Sequence, residues 1–189
     1  IGGVDFDVAV ADYLNDEFRK LHGIDLKTDP IAYQQLLFQA EKAKMELSSL
    51  NETNLVIPYI TITPKGPLHF KMELNKQLFG KITEPIIQGI REITEELLRE
   101  NNIKPEDISR VLPVGGASRI CNVRAFVESL FGSSVSKDLN PEEAVVCGAA
   151  TNAAMRKGLL GDRTFFDVTS HNMGLEDDNG MFEIIMRKN

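Results

Sequence analysis

Residues 53–74 constrain this chain more than any other stretch. Thr53 to Thr63 is rich in β-branched and aromatic residues, and Leu68 to Leu74 alternates apolar with polar. Pro64-Lys65-Gly66-Pro67 between them carries turn chemistry. The pattern predicts a β-hairpin. Pro58 inside the first run predicts an edge strand or a bulge, because proline has no N–H to give to a ladder. A hairpin set between helix-periodic segments excludes an all-helical bundle and points to an α+β chain.

The flanking segments read as helices. Val8, Val10, Ala11, Leu14, Phe18 and Leu21 recur at helical spacing, and Gly23 follows as a stop. Asp29-Pro30 opens a second helix, with Asp29 placed to cap and Pro30 suited to the first turn. Leu36, Ala40, Ala43 and Leu47 line one side of it. Helical periodicity resumes near Asn75 and continues through Ile82, Ile86, Ile90, Ile93 and Leu97. Pro85 is expected to break or kink that helix near Thr83.

After Pro105 the texture becomes α/β. Arg110-Val111-Leu112-Pro113-Val114 reads as a short buried strand, and Gly115-Gly116 as a sharp turn. Ser118 is placed to cap a helix running to about Phe131, and a β-like stretch follows at 133–136. Asn140-Pro141-Glu142-Glu143 reads as a helix start with a cap, a first-turn proline and acids at the positive dipole end. Gly148, Ala149, Ala150, Ala153 and Ala154 make that helix one that another backbone can approach closely. Asn179-Gly180 marks a second hairpin in the tail.

Composition narrows the function classes. The 189 residues carry 28 acidic and 21 basic side chains, a net charge of -7. Such a chain is a poor nucleic-acid binder, since phosphate contacts need clustered Lys and Arg. No apolar run approaches the ~20 residues of a membrane helix. Cys121 and Cys147 lie far apart without metal-like spacing, and His22, His69 and His171 are scattered. Reduced thiols in a cytoplasmic or other reducing compartment are the expectation, with no metal site. The chain opens Ile1-Gly2-Gly3 without Met, so it is expected to be a piece of something longer.

Two clusters carry candidate chemistry. In the turn Gly115-Gly116-Ala117-Ser118, glycines without Cβ let a flat ligand lie against the backbone, and a following helix N-terminus favours polar groups. It is not a Walker loop, because no Gly-Lys-Ser/Thr follows. Glu41, Lys44 and Ser48 share one helix face about 100° from the apolar stripe. A carboxylate accepts from ribose hydroxyls, and Lys and Ser donate. Taken alone, the first reads as a plain strand-to-helix turn and the second as a solvated face.

Their order along the chain adds more. Gly2-Gly3-Val4-Asp5-Phe6-Asp7, Ala40-Glu41-Lys42-Ala43-Lys44-Met45-Glu46-Leu47-Ser48-Ser49, Val114-Gly115-Gly116-Ala117-Ser118-Arg119 and Asn140-Pro141-Glu142-Glu143-Ala144-Val145 with Gly148-Ala149-Ala150 occur in that sequence. Together they resemble the DnaK-type seventy-kilodalton heat-shock chaperones, over nearly the whole chain. The resemblance implies an actin-like ATPase domain and makes this chain most of its second lobe. Residues 3–82 would be the outer helical and hairpin subdomain, 83–158 part of the inner α/β subdomain, and 159–189 a linker-like tail with the first strands of a substrate domain. Glu41, Lys44 and Ser48 would hold ribose and the adenine edge of ATP or ADP. Gly115, Gly116, Ala117, Ser118 and Arg119 would hold the adenosine, with Arg119 against the base. Glu142 matches an acidic position beside that pocket. Met45 stands where some relatives have Arg.

The resemblance also implies what to look for elsewhere. The family's phosphate loops, its magnesium- and potassium-binding aspartates and its catalytic lysine match nothing here, so the chain alone is expected not to hydrolyse ATP. Magnesium is expected only with the first lobe. A nucleotide-exchange factor is the expected partner, with a J-domain co-chaperone for the full-length protein. The hairpin with Tyr59, Lys65 and His69 is the candidate contact. Phe165-Phe166-Asp167-Val168-Thr169 resembles the end of the interdomain linker, less leucine-like than usual, and Ser170-His171-Asn172-Met173-Gly174 replaces a proline-containing turn. The competing class is an interaction module that docks exchange factors without useful nucleotide binding. A sugar-kinase fragment is a weaker third reading, since no sugar-binding Asp stands out.

Overall fold

The structure is a computed structural model that describes residues 1–161, 165, 167–169 and 171–188. The chain divides into two compact units, Ile1–Val145 and Val146–Asn189. The sequence expectation of an α+β fold is met: the described residues form helices and two small sheets, as in a partial actin-like ATPase domain.

Helix α1, Gly3–His22, begins where the Gly2 N–H donates to Asp5 Oδ2 and ends at Gly23, whose φ of 71° is a left-handed helix stop. It buries Phe6, Val10, Ala11, Leu14 and Phe18. The expected stripe is thus shifted. Val8 is half a turn from Phe6 and Val10 and is exposed, and Leu21 in the last turn is exposed too. Helix α2, Pro30–Glu46, is capped by Asp29, which accepts from the Ile31 and Ala32 N–H groups. Its buried stripe, Leu36, Ala40 and Ala43 with Leu47 just beyond, is the expected one.

Strands β1, Glu52–Thr63, and β2, Gly66–Asn75, form the antiparallel hairpin over the turn at Pro64 and Lys65. The register slips between Ile57 and Thr61, at Pro58, as the missing donor requires. β1 packs against α2 and buries Leu55, Ile57 and Ile60, while Phe70 of β2 meets Phe18 edge-on at 5.6 Å.

Helix α3, Lys76–Glu100, is capped by Asn75 and runs uninterrupted through Pro85, against the expected break. Pro85 and the Lys81 residue whose carbonyl loses its partner are both exposed, so water can serve the orphaned acceptor. Its buried residues, Phe79, Thr83 and Ile87, lie in the first half, whereas Ile93 and Leu97 are each 60% exposed.

Beyond α3 the expected buried strand at 110–114 is not found. Val111 makes one parallel bridge to Val135, and Leu112 and Val114 are exposed. With helix α4, Cys121–Phe131, between them, these two residues form the smallest version of a parallel crossover. Among the described residues no further strand flanks it, and Val111 and Val135 are only half-buried. The β-like stretch at 133–136 reduces to a 3-10 turn at Gly132–Ser134 followed by the Val135 bridge. Asn140 accepts from the Glu142 N–H as expected, but residues 141–143 form a turn and helix α5, Ala144–Arg156, starts after it.

The small-residue helix α5 has no buried residue. The Asn179-Gly180 signal is met by strands β3, Met173–Glu176, and β4, Phe182–Met186, paired antiparallel. In the linker-like stretch, Phe166 lies outside the described residues, as does Ser170, and residues 165 and 167–169 form no strand.

A candidate adenosine pocket

The first unit contains a cavity of about 790 Å³, within the size range of small-molecule sites. One wall comes from the last turns of α2 and the start of α1. The other is built by the loops around Gly116 and Glu142. Eight of the nine expected site residues line it: Glu41, Lys44 and Ser48 on the first wall, Gly116, Ala117, Ser118, Arg119 and Glu142 on the second. The chain separates these walls by some seventy residues, yet they face one space.

Gly115 is not part of the lining. Its φ of 77° and ψ of 155° belong to a region open essentially to glycine alone. Its N–H donates to the Pro141 carbonyl at 2.8 Å, which joins the two loops of the second wall. This backbone reversal also changes the role of Ser118. The hydroxyl donates back to the Gly115 carbonyl at 2.8 Å, inside a 3-10 turn, Gly116–Arg119. It does not cap α4, which starts after Ile120 without a side-chain cap.

Arg119 is held at its edge. Nη2 donates to Asn140 Oδ1 at 2.8 Å, and Nε lies 3.5 Å from Glu142 Oε1. With half of its side chain exposed, the planar faces of the guanidinium remain for stacking. A Cβ placed on Gly116 would meet only Glu142 Oε1, at 3.9 Å, so the ledge beside it is open space.

The first wall differs from the expectation at one residue. Lys44 is not a free donor: Nζ donates to Asp7 Oδ2 at 2.7 Å and to the Gly3 carbonyl at 3.1 Å. Two of its three N–H groups are used within the protein, which leaves one for a ligand. Ser48 donates weakly to the Lys44 carbonyl at 3.3 Å and stays exposed, as does Glu41. Sequence reasoning missed Gly3, Arg124, Glu128 and Lys137 on the cavity wall. The Arg124–Glu128 ion pair at i, i+4 was legible as a surface pair, but nothing local placed it here.

Comparisons with known proteins place the chain in a family. The family model described as Hsp70 protein matches residues 1–189, the whole chain. The chain belongs to the Hsp70 protein family. Its relatives include the "Chaperone protein DnaK" of Thermosipho melanesiensis, 42% identical over 193 residues, covering 100% of this chain and 32% of the relative. Those of Thermotoga maritima and Halobacterium salinarum are each 40% identical over 100% of this chain, and cover 33% and 30% of the relative. The chain therefore spans about a third of the length of the curated relatives it matches.

Among the described residues of this Hsp70-family chain, no helix is long and apolar enough to cross a membrane.

Proposed function

We propose that this Hsp70-family chain supplies the adenosine-binding half of the ATP site of a chaperone nucleotide-binding domain. The observation that carries the reading is the convergence of Glu41, Lys44, Ser48, Gly116, Arg119 and Glu142 on one cavity from three separate segments. The donor set suits a nucleoside. Glu41 offers a carboxylate to ribose hydroxyls, and Lys44 and Ser48 offer donors. The open ledge at Gly116 and the free faces of Arg119 suit a flat base. On this reading residues 3–82 form the outer subdomain, 83–158 part of the inner one and 159–189 a tail toward a substrate domain. Magnesium and the phosphates are then held by the first lobe of such a domain. Free Cys121 and Cys147 fit a reducing compartment such as the cytoplasm.

ADP titrated into the isotope-labelled chain tests the reading. One half of a cleft buries one face of the ligand, so a dissociation constant of roughly high micromolar to millimolar is expected. Resonances of Glu41, Lys44, Ser48, Gly116 and Arg119 should shift together. Gly116→Val should abolish the shifts without unfolding the chain, because the space its side chain fills is empty of protein. Saturating ADP that moves none of the five positions overturns the assignment.

A second role rests on a separate observation. The β1–β2 hairpin exposes Val56, Tyr59 and Ile62, with Tyr59 at φ 54° and its N–H donating to His69 Nδ1 at 3.1 Å. We infer that this arm docks a nucleotide-exchange factor, with J-domain co-chaperones acting on the longer protein.

A further inference from the structure

The helices α1 and α2 meet beside the cavity through one ion pair. The Asp7 and Lys44 side chains are only 10% and 12% exposed. Lys44 Nζ satisfies Asp7 Oδ2, but Asp7 Oδ1 is buried and has no hydrogen-bond partner. A buried carboxylate with one oxygen unserved is a costly arrangement that needs a reason.

Stability does not supply one. Burial pushes the Asp7 carboxyl up from its ordinary value, and Glu41 adds to the rise, although Lys44 opposes it. A carboxyl raised by folding gives a contribution that is full below its unfolded value and falls as pH rises through the raised one. At neutral pH the charge on Asp7 therefore works against the folded state.

A third feature converges on the same nitrogen. The Gly3 carbonyl is the other acceptor of Lys44, and a Cβ on Gly3 would stand 3.2 Å from Nζ. Any side chain there would push the ammonium aside. Gly3 and Lys44 both line the cavity, and Asp7 stands behind them.

We propose that Asp7 and Gly3 are positioning residues of the adenosine pocket, which hold Lys44 Nζ by two N–H groups so that the third is presented to the ribose hydroxyls of a bound nucleoside. This assignment rests on the nucleotide reading above. Asp7 acts through Lys44 and touches no ligand itself.

The test is a double-mutant cycle read by ADP affinity and by thermal midpoint on the 189-residue chain. Asp7→Asn is expected to weaken ADP about tenfold, whatever it does to the thermal midpoint. In a Lys44→Met background, Asp7→Asn should change ADP affinity no further. Losses that add, or an Asp7→Asn chain with wild-type ADP affinity, overturn the proposal. So does a lowered midpoint with unchanged affinity, the mark of a purely structural tie. Gly3→Ala keeps both charges and provides the check if Asp7→Asn does not fold; it should weaken ADP severalfold, and unchanged affinity removes Gly3 from the assignment. Wild type that shows no ADP-dependent shifts defeats the nucleotide reading and this inference together. Wild type that binds while the cycle is additive defeats this inference alone.

Discussion

Single residues decide the pocket and its surroundings more than any regular element does. Asn15 is one such residue outside the site. Buried on α1, it donates through Nδ2 to Asp25 Oδ1 and accepts the Leu26 N–H at 2.8 Å. Asp25 also accepts the Lys27 N–H at 3.0 Å. The Lys27 backbone bond, then the Asn15 bond, hold the Asp25 carboxyl below its ordinary value, with Arg19 and Lys27 helping. A depressed folded value means a contribution present above the ordinary value of 3.8 and lost as pH falls through the lower one. Urea-unfolding midpoints measured between pH 6 and pH 2 should therefore fall for wild type and fall less for Asp25→Asn. Parallel curves for the two proteins would show that Asp25 contributes nothing to acid sensitivity. Tyr33 moves the other way: burial, then its hydrogen bond to Asp12 Oδ1 at 2.7 Å, push its hydroxyl up to about 12.

At the scale of elements, helix α3 and the two hairpins show how packing outranks local preference. Pro85 lies inside a helix that nevertheless runs from Lys76 to Glu100. The helix survives because Phe79, Thr83 and Ile87 anchor the turns on either side, with Phe79 stacked on Phe6 at 6.3 Å. The buried Thr83 hydroxyl also donates to the Phe79 carbonyl at 2.8 Å. Pro85→Ala restores the donor for Lys81 and removes the ring clash. It should stabilise the chain by about 2 kcal/mol, the helix-interior penalty of proline less the entropy it removes from the unfolded state. A thermal midpoint that does not rise would show that α3 is already relaxed around the ring. The hairpins make the opposite comparison. β1 alternates buried and exposed residues because α2 covers one face. Every residue of β4 is exposed, so β3 and β4 are held by pairing alone, which is marginal in water.

For the whole molecule, the first unit joins a packed helix-and-hairpin core to a sparsely covered crossover, and the exposed arm β1–β2 follows from that core. Its exposed Ile62 is 80% accessible and Lys65 sits at the turn. Calorimetric titration with an exchange factor from the same source should show binding that Lys65→Glu weakens. No binding by the folded wild-type chain defeats the docking role, and binding indifferent to Lys65→Glu moves the contact off the hairpin tip. The stop at Gly23, the cap at Asp29, the irregularity at Pro58, the hairpin at 64–67 and the α2 stripe were all legible in the sequence, because each depends on chemistry within a few residues. So were Glu41, Lys44, Ser48 and the Gly116 turn as candidates, since helix spacing alone puts the first three on one face. Only the tertiary structure decided that Gly115 shapes the turn from outside the cavity, that Ser118 bonds backward and that Leu112 and Val114 stay exposed. The same holds for Lys44, whose ammonium is claimed by Asp7 and Gly3. These outcomes depend on which distant groups arrive at a given atom, about 40 residues away in the case of Lys44 and Gly3. No local periodicity encodes which partner will fill a lysine's last hydrogen bond.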